Sequence, residues 1–136
     1  MGQTLGEVRR FVQEHPITVV IGTANQKGIP HLAVEREIQW IEERTIVFEA
    51  WFCLTTVENL MTNPKVAIAV WDQVAMSGYQ LIGEMKSIQE ASIFNGYIPG
   101  DEAEVSPIPP QAYRISIAIE EVLLLLSGPH ADKPYR

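Results

Sequence analysis

The chain of 136 residues holds one cysteine, Cys53, so no disulfide can close within it. Small secreted domains depend on such bridges, and their lack points to a reducing, cytoplasmic setting. Histidines are few and scattered, and neither His15, His31 and His130 nor Cys53 stands at the spacing of a zinc site. Positive charge is scarce as well: ten Lys and Arg against seventeen Asp and Glu leave a net charge of −7. That balance argues against a general nucleic-acid binder, whose affinity comes from neutralising phosphates, but not against a local pocket for one anion. Apolar stretches such as Val66–Trp71 and Val122–Leu126 fall far short of the roughly 20 residues that span a bilayer. The first residues lack the basic-then-apolar layout of an export signal. There is no Walker loop, no GxGxxG after a strand and no ordered Ser/His/Asp set.

What is present reads as one domain over residues 1–127 with a polar tail over 128–136. Thr4 and Glu7 have capping-box spacing ahead of the apolar positions Leu5, Val8, Phe11 and Val12, which predicts a first helix ending at His15-Pro16. Ile17–Ala24 is β-branched and apolar, a first strand, and Asn25–Gly28 is a turn. Pro30 to about Glu42 reads as one long strand with Leu32, Val34, Ile38 and Trp40 on one face, Arg36 in its midst, and Glu35, Glu37 and Gln39 opposite. Thr45–Phe52, Lys65–Asp72, Gly78 to about Gln89 and Tyr113–Leu126 complete six strands, with a helix at Thr55–Asn63. A helical turn is expected at Ala91–Tyr97 and a stiff acidic loop at Pro99–Pro110. The expected architecture is mainly β: a six-stranded antiparallel barrel with two or three short helices plugging its ends. Several strands are apolar on both faces, more than one barrel interior needs, so a second copy is expected to cover part of the outside as a homodimer.

The segment Phe48–Leu60 carries the strongest chemical lead, a strand running straight into a helix. Unpaired N–H groups and the positive end of the dipole at such a start suit a phosphate, and Thr55 and Thr56 add hydroxyls. The same spacing also fits a plain capping box, Thr55 with Glu58. Arg36 on an apolar face calls for a partner, either a ligand phosphate or a glutamate. Trp40, Trp51, Phe52 and Tyr79 suit either a wall for a planar ligand or the core. Cys53 reads as a small hydrophobe, and Gly78 and Gly83 as points of bending or close approach within a strand.

The order of elements, with Asn-Gln-Lys-Gly-Ile-Pro-His, then Thr-Ile-Val-Phe, then Thr-Val-Glu-Asn-Leu-Met-Thr-Asn-Pro-Lys-Val-Ala-Ile-Ala-Val-Trp-Asp and Gly-Tyr-Gln-Leu-Ile-Gly-Glu, resembles the pyridoxamine 5′-phosphate oxidase-like, FMN-binding split-barrel proteins. The likeness runs from about Leu5 to Val122. It implies a six-stranded split barrel and a homodimer holding FMN in two clefts at the subunit interface. It assigns the FMN phosphate to Thr55 and Thr56, and the ribityl chain and isoalloxazine to Glu49, Ala50 and Trp51. Arg36 and Gln80 contribute from neighbouring strands. Family members that bind FMN usually carry a Lys or Arg just before the residue matching Thr56; here Leu54 and Thr55 stand there. The arginine-rich substrate motifs of true pyridoxamine phosphate oxidases are not evident.

The resemblance implies a flavoprotein oxidoreductase of unknown substrate, with no metal and no evident catalytic acid or base. Two alternatives stand beside it: a non-catalytic dimeric binding or regulatory module with a degraded flavin site, and a relative using deazaflavin or heme. Heme would want an axial ligand, and His31 and then His130 are the candidates.

Overall fold

A computed structural model describes residues 2–91 and 112–128. The expected turn over 92–97, the Pro99–Pro110 loop and the tail over 129–136 lie outside the described residues. Ala91 itself ends a strand.

Among the described residues seven strands form one antiparallel sheet: β1 (Thr18–Ala24), β2 (Pro30–Glu35), β3 (Gln39–Trp40), β4 (Thr45–Trp51), β5 (Lys65–Asp72), β6 (Ser77–Ala91) and β7 (Ala112–Leu126). Their spatial order is β2-β1-β5-β6-β7-β4-β3. The two outermost strands are therefore neighbours in the chain, joined only by Arg36–Ile38. Laid flat, six strand spacings would separate them by about 29 Å. The four peptide links from Glu35 to Gln39 reach at most about 15 Å. The sheet must roll up, and it forms the expected split barrel.

The long second strand of the sequence reading is in fact two, β2 and β3, and this makes the count seven rather than six. At the break the Arg36 N–H bonds to the Glu35 carboxylate instead of a ladder carbonyl. The interruption also changes which face is buried. Leu32 and Val34 are 70% and 69% exposed, whereas Ile38, beyond the break, is in the core. Arg36 therefore does not share a buried face with Ile38.

Alternation sets the interior elsewhere. Val19 and Ile21 of β1, Val66, Ile68 and Val70 of β5, Leu81 of β6 and Ile115, Ile117 and Ile119 of β7 all point inward. Two helices add to this core: α1 (Gly2–Glu14) through Leu5 and Val8, α2 (Leu54–Thr62) through Val57 and Leu60. Helix α1 starts at Gly2, so Thr4 lies inside it and does not cap it. It ends before Pro16 as expected, with the His15 N–H bonded to the Phe11 carbonyl. The end of α1 is tied to the barrel. His15 Nδ1 donates to Asp72 Oδ2 at 2.7 Å, and Phe11 stacks on His15 and meets Tyr79 edge-on.

Gly78 and Gly83 mark close approaches, as expected. A Cβ on Gly78 would lie 1.9 Å from the Val70 carbonyl oxygen, and one on Gly83 would lie 2.6 Å from that of Ala118. Between Ile82 and Gly83 the β6–β7 register also shifts, which bends the longest hairpin.

Candidate functional site

Strand β4 runs into α2 with only Phe52 and Cys53 between them. The indole Nε1 of Trp51 donates to the Cys53 carbonyl at 3.0 Å, and Phe48 packs against the same ring. Trp51 is thus a core residue, 2% exposed, that pins the turn from beneath. Phe52 and Leu54 on either side of Cys53 face solvent. Of the four aromatics proposed for a ligand wall, Trp40 and Tyr79 also pack on the core, and only Phe52 is free at the surface.

The N-cap of α2 is Cys53, whose side chain makes no capping hydrogen bond. The expected Thr55–Glu58 box does not form, because the helix begins one residue before Thr55 and leaves both side chains outside. Thr56, at the third helical position, is 1% exposed, and its hydroxyl has no hydrogen-bond partner among the described residues. One turn on, Asn59 Nδ2 donates to Thr23 Oγ1 of β1 at 3.1 Å, a buried contact that locks α2 to the barrel. The outcome is a helix start with open N–H groups and an unused buried hydroxyl. Both suit an anion.

The remaining expected site residues divide into four places. Glu49 and Ala50 line a cleft of about 350 Å³ with Glu35, Glu37 and Gln39. Thr55 lines a second cavity of about 440 Å³ with Lys27, Asn25 and Glu58. Arg36 lies at the bend after β2; its side chain is exposed and makes no hydrogen bond or ion pair among the described residues. Gln80 is elsewhere. It pairs with Ala69 and Leu123, whereas Glu49 lies level with Arg114, and Arg114 to Leu123 is about 30 Å along β7.

Two cations near these cavities escaped the sequence reading. Arg114 Nε donates to Glu49 Oε2 at 3.0 Å and partners that carboxylate. Lys27 is carried by the Asn25–Gly28 turn, where Asn25 Oδ1 accepts from the Lys27 and Ile29 N–H groups. Neither is near Thr55 or Glu49 in sequence, and only strand register brings them there. Among the described residues no three metal-ligating side chains cluster, and no helix is long and apolar enough to cross a membrane.

Comparison with known proteins gives this arrangement a family. No curated protein matches the chain. Among solved structures it is similar to HupZ of Group A Streptococcus, at 22% identity over 94% of this chain and 97% of that one, with a TM-score of 0.64. An FMN-binding protein from Syntrophomonas wolfei is similar at 17% identity, covering 90% and 86%, with a TM-score of 0.66. An F420 reductase is similar at 16% identity, covering 82% and 92%, with a TM-score of 0.60. At these identities the likeness is one of fold. The family model described as pyridoxamine 5′-phosphate oxidase matches residues 4–126, nearly the whole length, and the chain belongs to that family.

Proposed function

We propose that the protein binds FMN in two equivalent clefts between two copies of the chain and serves as an oxidoreductase. The observation that carries this reading is the start of α2, whose N–H groups are uncapped and whose Thr56 hydroxyl is unused within the protein. Thr55 and Thr56 with those N–H groups would hold the phosphate. Lys27 or Arg36 would supply the charge that Leu54 and Thr55 do not. Glu49 is no bare anion in this setting, because Arg114 is bonded to it. When bound, the flavin supplies the hydride chemistry, and the chain contributes orientation, charge and shielding from water.

In this reading the second copy also supplies Gln80, which the resemblance assigns to the flavin. It is too far along the sheet from Glu49 to share a cleft in one chain, so a second copy would have to present it. The outer face of the sheet is suited to such a partner. Val20, Ala69, Trp71 and Leu125 line an apolar groove of about 460 Å³ there. Light scattering would read two chains per particle, and a monomer at micromolar concentration would remove the shared cleft.

A second reading, a non-catalytic module with a degraded flavin site, is favoured by one observation. The cleft at Glu49 and Ala50 also holds Glu35 and Glu37, which repel an anion. Fluorescence titration of cofactor-free protein with FMN and with riboflavin separates the two readings. Tight FMN with much weaker riboflavin supports the phosphate site, and binding of neither supports the module. Arg36→Ala with unchanged FMN affinity would exclude Arg36 as the compensating cation. A titration with F420 in parallel tests the deazaflavin alternative, prompted by the F420 reductase among the similar folds.

A further inference from the structure

The phosphate site proposed at the start of α2 has a polar neighbour to which the flavin reading gives no role. His31 of β2 stands directly across from Thr23 of β1 in the strand register. Asn59 of α2 bonds to that threonine, so the helix is held over this strand pair. His31 Nε2 lies 4.0 Å from the sulfur of Cys53, the N-cap, and this places the ring beside the head of the helix.

Two atoms there point to a ligand. The Thr56 hydroxyl is buried with no partner among the described residues, at the third helical position, from which side chains reach back toward the N-cap. The Nδ1 atom of His31 is likewise buried and without a partner among the described residues. A proton on Nδ1 would be a buried donor with nothing to receive it, a rarer state in folded proteins than an unpaired acceptor. We therefore assign the single ring proton to Nε2, the nitrogen turned toward the helix head. A cysteine sulfur is a weak acceptor, whereas a charged phosphate oxygen is a strong one, so Nε2–H is available to a phosphate.

We infer that His31 is a phosphate-binding residue, whose neutral imidazole donates from Nε2 to a phosphate monoester at the start of α2, beside the Thr56 hydroxyl and the first helix N–H groups. The inference rests on the flavin reading, in which that phosphate belongs to FMN. It adds a directed donor from β2 at a place where Leu54 and Thr55 offer no cation. His31 is brought there by strand register, 22 residues before Cys53 in the chain.

Two amide variants read which ring nitrogen matters. A glutamine amide reaches the place of Nε2, and the shorter asparagine amide reaches that of Nδ1. In fluorescence titrations with FMN, His31→Gln should stay within about threefold of the parent and His31→Asn should bind about ten- to a hundredfold more weakly, the range of one hydrogen bond to a charged acceptor. Riboflavin, which lacks the phosphate, should not distinguish the three chains, and circular dichroism checks that the variants are folded. Equal FMN affinity in all three overturns the proposal, and so does a glutamine variant as weak as the asparagine one. A loss of riboflavin in step with FMN also overturns it, because the residue then supports the cleft and not the phosphate. If asparagine unfolds the chain, the glutamine variant decides alone, and weakened FMN with unchanged riboflavin overturns the Nε2 donor. If the parent binds neither flavin, the flavin reading fails separately. Inorganic phosphate, followed by phosphorus NMR, then tests His31 by the same ranking of variants, and a parent that binds no phosphate overturns the proposal.

Discussion

Replacing Thr56 by Val separates what this residue does for the fold from what it does for a ligand. The hydroxyl is almost completely shielded and bonds to nothing among the described residues, so the folded chain carries the desolvation cost of an unpaired polar group, about 1–3 kcal/mol. Valine keeps the shape and β-branching of threonine and removes that cost. Thr56→Val should therefore raise the unfolding free energy by about 1 kcal/mol, where most buried substitutions lower it. The same change removes one hydrogen bond to a phosphate, worth about 1.5–3 kcal/mol when the acceptor is charged, so FMN should bind about ten- to a hundredfold more weakly. Urea unfolding at fixed protomer concentration reads the first effect as a higher midpoint with unchanged slope. Fluorescence titration reads the second, with riboflavin as the control that lacks the phosphate. A lower urea midpoint would mean that the hydroxyl has a partner in the folded protein, and the reasoning fails there. A higher midpoint with unchanged FMN affinity would leave the stability argument standing and remove Thr56 from the phosphate site.

Breaking the buried Asn59–Thr23 contact with Asn59→Leu should cost about 1–3 kcal/mol, and Thr23→Val a similar amount, because each strands the other's polar group. The double variant should cost clearly less than the two singles combined; simple additivity would show that the pair is not coupled. Gly78→Ala places a methyl against the Val70 carbonyl and should destabilise by more than about 2 kcal/mol in thermal melts, whereas Gly6→Ala, on the open side of α1, should gain about 0.5–1 kcal/mol. Asp72 is held below the usual carboxylate range, first by the His15 hydrogen bond and then by the Ala75 N–H. A depressed folded value stabilises above the ordinary carboxylate value and is lost as pH falls through the folded one. Asp72→Asn should thus weaken the fold at neutral pH and flatten the acid limb of denaturant midpoints measured from about pH 7 down to pH 2; an unchanged acid limb would show that this carboxylate contributes nothing there.

The amino-acid pattern alone determined most of the elements. Alternation over Val66–Val70 and Ile115–Ile119, proline after His15 and Asn63, and glycine where β6 presses on β5 and β7 are local signals with local causes. They specify a mainly antiparallel β chain with a helix at each of two places. The break at Arg36–Ile38 was not legible, because the alternation of Leu32 and Val34 with Ile38 and Trp40 reads as continuous in one dimension. Only the need to carry the chain between the two edges of a rolled sheet interrupts it and turns Leu32 and Val34 outward. The start of α2 was legible to within one residue, yet its chemistry was not. Thr55 looked like a cap and is not one, and Thr56 lost its partner through burial that spacing does not report. Cys53 packs partly against the core as a small hydrophobe, and the fold also sets His31 beside it, a contact that spacing does not report. Lys27 and Arg114 reached the cavities the same way. Sequence spacing governs which residues share an element and a face. Which elements meet is decided by register and closure of the sheet, and at this site every pairing across elements is of that second kind.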